Sequence, residues 1–531
     1  MIREGQDPSS LFFAESKVGK RTIKQPELEE TIIALREKNL AITDIKAYLS
    51  SRGIQSSLWK IDKILKTEKF PPLPRRSRKE KEKISIPKEF SASEAEAIDL
   101  PLDNKQEFES LSGGVFLFYP LLKELNIEKL VEGSGYPETK QISRLQSILS
   151  FLALKLSDTK RLSHSDDYCF DRGLGLFAGL NVLPKNAWFG SYSYRINREM
   201  NLKFLSGLNR AVEEIIPASG DFNLDFTTIP HWGDESVLER NWSNKRHVGL
   251  KSMLALLVQD QGSRLLKYGD CEIKHADQSD VILEFVDFYR KNGGKINCLI
   301  FDSKFTTYHN LSLLNKDRIK FLTLRRRSKK MVEKMRNIEK DEWQRVKLNK
   351  NYKRKYRNLL VYESKVKLTD YEGEVRQIVI TNNGRIEPTF LITNDFEISL
   401  KQAVLKYARR WLIEKSIAEQ IDCFHLNRLS SSIVVKVDFD LTMTIFAHTV
   451  YKLFSSQIPG FENTNSDKIS RNFIKNYARI KITDWKSKQI TITLNKKVSL
   501  PLLYETDWFE KNIEIPWLND YKIKFEIGTT S

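Results

Sequence analysis

Residues 221–229 read DFNLDFTTI and residues 295–305 read KINCLIFDSKF. How these two runs are read decides the fold. Each is a short aliphatic and aromatic run carrying one acid, Asp225 in the first and Asp302 at the end of the second. Both have the length and composition of buried strands. A carboxylate taken out of water is costly unless it is paired, hydrogen-bonded or bound to a metal. Asp221 shares strand parity with Asp225 but sits at the edge of its run, and Asp234 lies beyond Pro230 in an expected loop, near His231. Asp302 has a plain alternative role, capping the loop that follows its strand.

Working outward, MLALLVQD (253–260) and SRLLKYGDCEI (263–273) are two further strands. SDVILEFVDFYRKNGG (279–294) is a helix stopped by two glycines, and RIKFLTLRRR (318–327) holds another strand. Three strands, a helix, a strand, a helix and a strand is the order of an RNase H-like core. In such a sheet the first and fourth strands are neighbours, so Asp225 and Asp302 are expected to converge. A hard divalent cation takes oxygen ligands and often needs only one or two protein carboxylates.

The periodicity of residues 343–395 is different: WQRVKLNKN, RNLLVYESKVKL, EVRQIVITNN and PTFLITND read as strands of an inserted β-subdomain. Two basic clusters bracket its start, RRRSKK (325–330) and KNYKRKYR (350–357). Together they suggest a nucleic-acid groove in which Arg325, Arg326, Arg327, Lys353, Arg354, Lys355 and Arg357 meet phosphate. Ser399 and Gln402 then form a capping box opening one long helix through YARRWLIEKSIAEQIDCFHL (407–426). At about 100° per residue, Tyr407, Arg410 and Glu414 fall on one face of that helix and Glu419 on another. Taken alone, Arg410 and Glu414 are an ordinary helix-surface ion pair.

Bulk properties agree with a polyanion partner. The chain has 531 residues, with 87 Lys and Arg against 69 Asp and Glu, a formal net charge of +18. That length implies several domains. No apolar run is long enough to span a membrane, and the N-terminus lacks the apolar core of a secretory signal. Four scattered cysteines, without a CxxC pair, argue against a disulfide framework or a zinc site and for a reducing compartment.

At the N-terminus, residues 1–66 contain three short helical stripes, with Gly53 between the second and third. Thr43 is expected to cap the second and Ser56 or Ser57 the third. The pattern is that of a helix-turn-helix DNA-binding module whose third helix offers Gln55, Ser57, Lys60 and Lys63. Residues 67–104, rich in proline, serine and mixed charge, are expected to be a linker. Residues 105–215 are expected to form a helical domain, 216–342 the first part of the core, 396–450 its closing helices, and 451–531 a mixed C-terminal region. The fold class is thus multidomain α/β.

Tyr407-x2-Arg410-x3-Glu414, preceded by LDFTT, IFDSKF and a β-rich insertion, resembles the insertion-sequence DDE transposases with a Tyr-Arg-Glu-Lys signature. The resemblance spans roughly residues 215–450. It implies that Asp225, Asp302 and Glu414 hold two Mg²⁺ or Mn²⁺ ions, and that Tyr407 and Arg410, with Lys304 nearby, contact DNA. It implies binding of terminal inverted repeats, hydrolysis of double-stranded DNA, and joining of the freed 3′-OH to target DNA by a homodimer in a prokaryotic, nucleoid-associated setting. The family's lysine position is Ile421 here, with Lys415 or Arg428 as substitutes. Two other readings stay open: a catalytically inactive transposase-derived DNA-binding protein, and a metal-dependent nuclease without strand transfer.

Overall fold

The computed structural model describes residues 25–37, 40–51, 54–70, 95–100, 106–168, 170–230, 238–243, 247–271, 273–347, 358–382, 388–428, 434–483 and 487–528. Lys353, Arg354, Lys355, Arg357, His231, Asp234, Gly53 and Cys169 lie outside them. The chain divides into two compact units, residues 1–76 with 232–238, and residues 77–231 with 239–531.

The first unit contains α1 (Gln25–Glu37), α2 (Ile42–Ser51) and α3 (Leu58–Thr67). Leu28, Ile32, Leu35, Ile45, Leu49, Leu58, Ile61 and Ile64 are buried, giving each helix one apolar stripe. Ser57 caps α3, accepting from the Lys60 amide at 3.2 Å. α2 starts at Ile42, one residue ahead of Thr43, and Asp44 in its first turn accepts from the Ala41 amide at 3.0 Å.

The second unit begins with a departure. Residues 95–100, expected in a linker, are packed: Ala95 and Leu100 are buried, and Ala97 bridges Leu180. Next come β1 (Glu107–Ser110), α4 (Tyr119–Glu124), α5 (Ile127–Ser134), α6 (Arg144–Leu156), α7 (Arg172–Phe177), α8 (Asn186–Ser193) and α9 (Arg198–Ile215). The core strands and helices follow as β2 (Asp221–Pro230), β3 (Arg240–Ser243), β4 (Val248–Asp260), β5 (Leu266–Asp270), α10 (Val281–Lys291), β6 (Cys298–Phe301), α11 (Tyr308–Lys316) and β7 (Lys320–Leu324). Beyond them lie α12 (Lys329–Arg336), β8 (Gln344–Lys347), β9 (Asn358–Lys367), β10 (Glu374–Thr381) and β11 (Thr389–Thr393). The chain closes with α13 (Leu400–Ala408), α14 (Trp411–Asp422), α15 (Val434–Ser456), α16 (Ser466–Ile469), β12 (Ala478–Ile482), β13 (Gln489–Leu494), β14 (Ile513–Ile515) and β15 (Tyr521–Ile527).

One sheet dominates, in the order β3-β4-β2-β6-β7-β11-β10-β9-β8, with β5 also paired to β4. β2 runs parallel to β6 and antiparallel to β4, so the acid-bearing strands are indeed side by side. The β-rich segment is not a separate subdomain. β11 pairs antiparallel with β7, and β8–β11 extend the same sheet. The edge of β7 would otherwise expose a row of unpaired backbone groups, and β11 satisfies it. The shared core confirms the continuity: Ile300 and Leu322 pack in one cluster with Val361, Ile378 and Leu391, and with Ala403 and Val404 of α13.

The helical and C-terminal regions also merge. β1 pairs with β12 in a second sheet, ordered β1-β12-β13-β15-β14. Its buried face shares a hydrophobic cluster with α4–α9 and α15. Gly114 marks how closely they approach, since a Cβ there would meet the Phe473 carbonyl oxygen at 2.3 Å. A fully buried ion pair ties α9 to α15. Arg198 donates to Asp438 at 2.5 Å and to the Gly269 carbonyl of β5 at 2.8 Å, while Asn201 donates to Asp438 at 2.8 Å. Among the described residues no helix is long and apolar enough to cross a membrane.

Candidate functional site

β2 is buried on both faces, and its alternation assigns each side chain a partner. Phe222 packs edge-on against Phe285 and Tyr289 of α10, and Phe226 stacks on Phe305 with centroids 4.1 Å apart. The opposite parity meets the junction of α13 and α14: Asp221 pairs with Lys406 at 2.8 Å, Asn223 donates to the Arg409 carbonyl at 3.4 Å, and Asp225 pairs with Arg410 at 2.8 Å. Period two places these three polar residues on one face of the strand.

The junction itself corrects the expected continuous helix. The capping box at Ser399 and Gln402 is formed, but the helix stops at Ala408 and restarts at Trp411. At the break, the Leu412 and Ile413 amides bond three residues back, to Arg409 and Arg410. Side-chain amides from the sheet support the exposed carbonyls. Gln261 donates to the Lys406 carbonyl at 3.2 Å and to Asn223 at 3.0 Å. Gln259 reaches Ser416 at 2.7 Å and the Leu412 carbonyl at 3.4 Å. A helix interruption against a buried sheet needs such partners, because orphaned backbone groups are expensive there. No local sequence rule announced the role of these three amides.

Arg410 therefore projects between two acids, donating to Asp225 at 2.8 Å and to Glu414 at 2.9 Å. Arg410 and Asp225 are 14% and 19% exposed, whereas Glu414 is 53% exposed. Burial pushes the Asp225 carboxyl above its ordinary value; Arg410 and the Phe226 amide pull it down, and the charges of Glu414 and Asp302 push it up again. Burial opposes the charge on Arg410, but Asp225, Tyr407, Glu414 and Asp302 outweigh it and raise its pKa. Burial likewise raises the Tyr407 phenol, although the Arg410 guanidinium beside it pulls the other way.

Asp302 follows directly after β6. The β2–β6 register runs from Asp221 opposite Cys298 to Leu224 opposite Phe301, so its next step sets Asp225 beside Asp302. The Asp302 carboxylate accepts from the Ser303 amide at 2.6 Å and caps a 3₁₀ turn, Ser303–Phe305. Capping and proximity to Asp225 thus coexist. Phe305 in that turn is the ring stacked on Phe226, which fixes the acid-bearing loop to β2.

The donor set suits a hard divalent cation, being three carboxylates with no sulfur or imidazole. The three are not gathered as ligands, since among the described residues no group of three acidic, His or Cys side chains is close enough to hold a metal. The positive charge that joins Asp225 to Glu414 is the guanidinium of Arg410.

Glu419 faces away from this site. It accepts from Lys452 of α15 at 2.9 Å and from Ser466 at 2.9 Å, and lies 3.5 Å from His448. Lys415 lies over the Trp411 ring at 3.9 Å. Of the basic residues, Lys304, Arg326 and Arg327 are exposed near β6 and β7. Arg325 instead turns inward, donating to Gln377 of β10 at 2.7 Å. In the first unit Lys63 is exposed beside Trp59, 5.2 Å from its ring, and Lys60 is half-buried.

No curated protein matches this chain. A solved structure, described as the cryo-EM structure of piggyBac transposase synaptic complex with hairpin DNA, is similar at 12% identity. It covers 68% of this chain and 78% of that one with a TM-score of 0.35, a likeness too distant to inform the fold. Residues 222–450 match the family described as Transposase DDE domain, a span that runs from β2 through Asp302, Arg410 and Glu414 into α15.

Proposed function

We propose that this chain is a DNA transposase of the DDE kind. The observation that carries the reading is that Arg410 bonds both Asp225 and Glu414, with Asp302 next in register to Asp225 on the adjacent parallel strand, all within the matched segment.

In this reading Asp225, Asp302 and Glu414 would hold divalent Mg²⁺ or Mn²⁺. Such ions, when bound, activate a water and stabilise the leaving 3′ oxygen of an in-line displacement. The chain's own residues do the rest. Arg410 exchanges part of its carboxylate pairing for a phosphate oxygen, a switch its planar fork of donors suits. Tyr407 offers its hydroxyl to the same phosphodiester. Lys304, Arg326 and Arg327 neutralise backbone further along. The three helices of the first unit act as a helix-turn-helix that reads terminal inverted repeats through Gln55, Ser57, Lys60 and Lys63. Water attacks phosphorus and the bond to the 3′ oxygen breaks; the freed 3′-OH then attacks a target phosphorus and displaces the target strand's 3′ oxygen, which leaves as a hydroxyl. Pairing two ends calls for a homodimer on DNA.

The test is Mg²⁺-dependent cleavage and strand transfer on DNA carrying the sequences that flank the coding region. Wild type should nick at the ends, and Asp225→Asn, Asp302→Asn and Glu414→Gln should each lose activity by at least about 100-fold. Equal cleavage by the variants would remove the assignment.

One observation favours a second reading. Arg410 already neutralises Asp225 and Glu414, as suits a transposase-derived protein that binds DNA without cutting it. That protein would bind the same ends and leave them intact with any divalent metal.

A further inference from the structure

The paired ends of β3 and β4 carry features that the proposed active site leaves unused. Their register sets Arg240 opposite Lys251 and Trp242 opposite Gly249. Residues directly opposite in an antiparallel pair share a face, as do alternate residues along a strand. One face therefore presents Arg240, Trp242, Gly249 and Lys251 together. Trp242 is 57% exposed, and neither a ring nor a cation packs on it among the described residues. Gly249 adds open space, with no heavy atom of the described residues within 4 Å of where a Cβ would stand. Arg240 and Lys251 make no ion pair among the described residues, yet like charges directly opposite one another repel. An indole beside an open notch, flanked by two uncompensated cations, suits an aromatic base on a polyanionic strand.

The other face holds this one rigid. Asn241 is buried and donates to the Ser252 carbonyl at 3.0 Å, and its oxygen meets His275 at 2.8 Å. The His275 amide in turn donates to Glu239 at 2.8 Å. Position ties the face to the carboxylates. Asp225 pairs directly with Leu257, and 257, 251 and 249 have the same parity along β4. Trp242 and Asp225 therefore point to the same side of the sheet, separated by roughly 26 Å of strand at about 3.3 Å per residue.

We propose that Trp242, over the notch at Gly249, is a stacking platform for an unpaired base of a DNA strand, with Arg240 and Lys251 holding the flanking phosphates. The proposal rests on the reading of this chain as DNA-acting and adds a binding site outside its carboxylate cluster. Stacking is tolerant of base identity, so a labelled oligothymidylate is a sufficient probe.

Anisotropy titrations of the full chain should show Trp242→Ala weakening oligothymidylate binding by about 10-fold or more, with Trp242→Phe keeping most of the affinity. Arg240→Ala and Lys251→Ala should each lower the salt slope by about 0.7. Thermal unfolding should be unchanged in the Trp242 and Arg240 variants, because those side chains are exposed. Wild-type affinity in Trp242→Ala would overturn the proposal. So would a Trp242→Ala variant that binds the probe normally but changes sedimentation from dimer to monomer, which would make this face a contact with a second copy. Weakened binding in Trp242→Ala, with no end cleavage by wild type, would keep the platform and sink the transposase reading. Cleavage abolished by Asp225→Asn alongside unchanged binding in Trp242→Ala would do the reverse.

Discussion

Arg410 and Asp225 form an ion pair at 2.8 Å although 185 residues separate them in the chain. The pair joins the break between two helices to the centre of the sheet. It also supplies, from within the protein, the positive charge that a cluster of carboxylates requires. That relationship makes Arg410 a competitor of any cation that Asp225 would take.

Removing the arginine should expose that competition. Arg410→Met leaves Asp225 largely buried and unpaired, at a cost of about 3 kcal/mol. Millimolar Mg²⁺ should then raise the melting temperature of Arg410→Met more than that of wild type. The double variant Arg410→Met with Asp225→Asn should recover stability and lose the response to Mg²⁺. Equal responses in wild type and Arg410→Met would show that the acids do not attract the metal.

The amides under the helix break should act on positioning. Gln261→Met leaves the buried Asn223 oxygen without its donor and removes one of the two bonds to the Lys406 carbonyl, and should cost about 1–3 kcal/mol. Under the proposed function it should lower the turnover of end cleavage more than it weakens binding of end DNA, because Arg410 loses its anchored base. Equal losses in binding and turnover would mean that these amides serve stability alone.

Glu419 should set part of the acid limb of stability. Burial alone would raise its carboxyl, but the His448 ring and Lys452 outweigh burial and hold it at about 2, against an ordinary 4.5. A carboxylate held low in the folded state contributes stability above about pH 4.5, and that contribution is lost as pH falls toward 2. Glu419→Gln should therefore melt earlier than wild type at neutral pH, with the gap closing between pH 4.5 and 2. A gap independent of pH would assign the loss to packing.

The buried Arg198–Asp438 pair joins α9 to α15, and each side chain is no more than 5% exposed. Asp438→Ala leaves the buried guanidinium with Asp270, 3.8 Å away, as its remaining carboxylate and should cost about 3 kcal/mol by chemical denaturation. A loss below about 1 kcal/mol would mean that water reaches Arg198 when its partner is gone.

The sequence by itself determined the local elements. Alternation in DFNLDFTTI and the aliphatic run CLIF specified β2 and β6, because period and apolar content act within a few residues. The capping box at Ser399 and the cap at Ser57 were legible for the same reason. So was the pairing of Arg410 with Glu414, which helical spacing alone brings into reach.

Tertiary structure decided what those elements belong to. Strands at 343–395 look the same in sequence whether they form their own sheet or extend another; the open edge of β7 made them an extension. The apolar faces of α4–α9 and of β12–β15 each call for a partner without naming it, and each covers the other. The helix break after Ala408 lies against Asn223, Gln259 and Gln261, whose side-chain amides add bonds to the carbonyls of Arg409, Leu412 and Lys406. That break sets Arg410 against Asp225, because backbone hydrogen bonds and buried charge are balanced across the whole fold, where a local pattern carries no information.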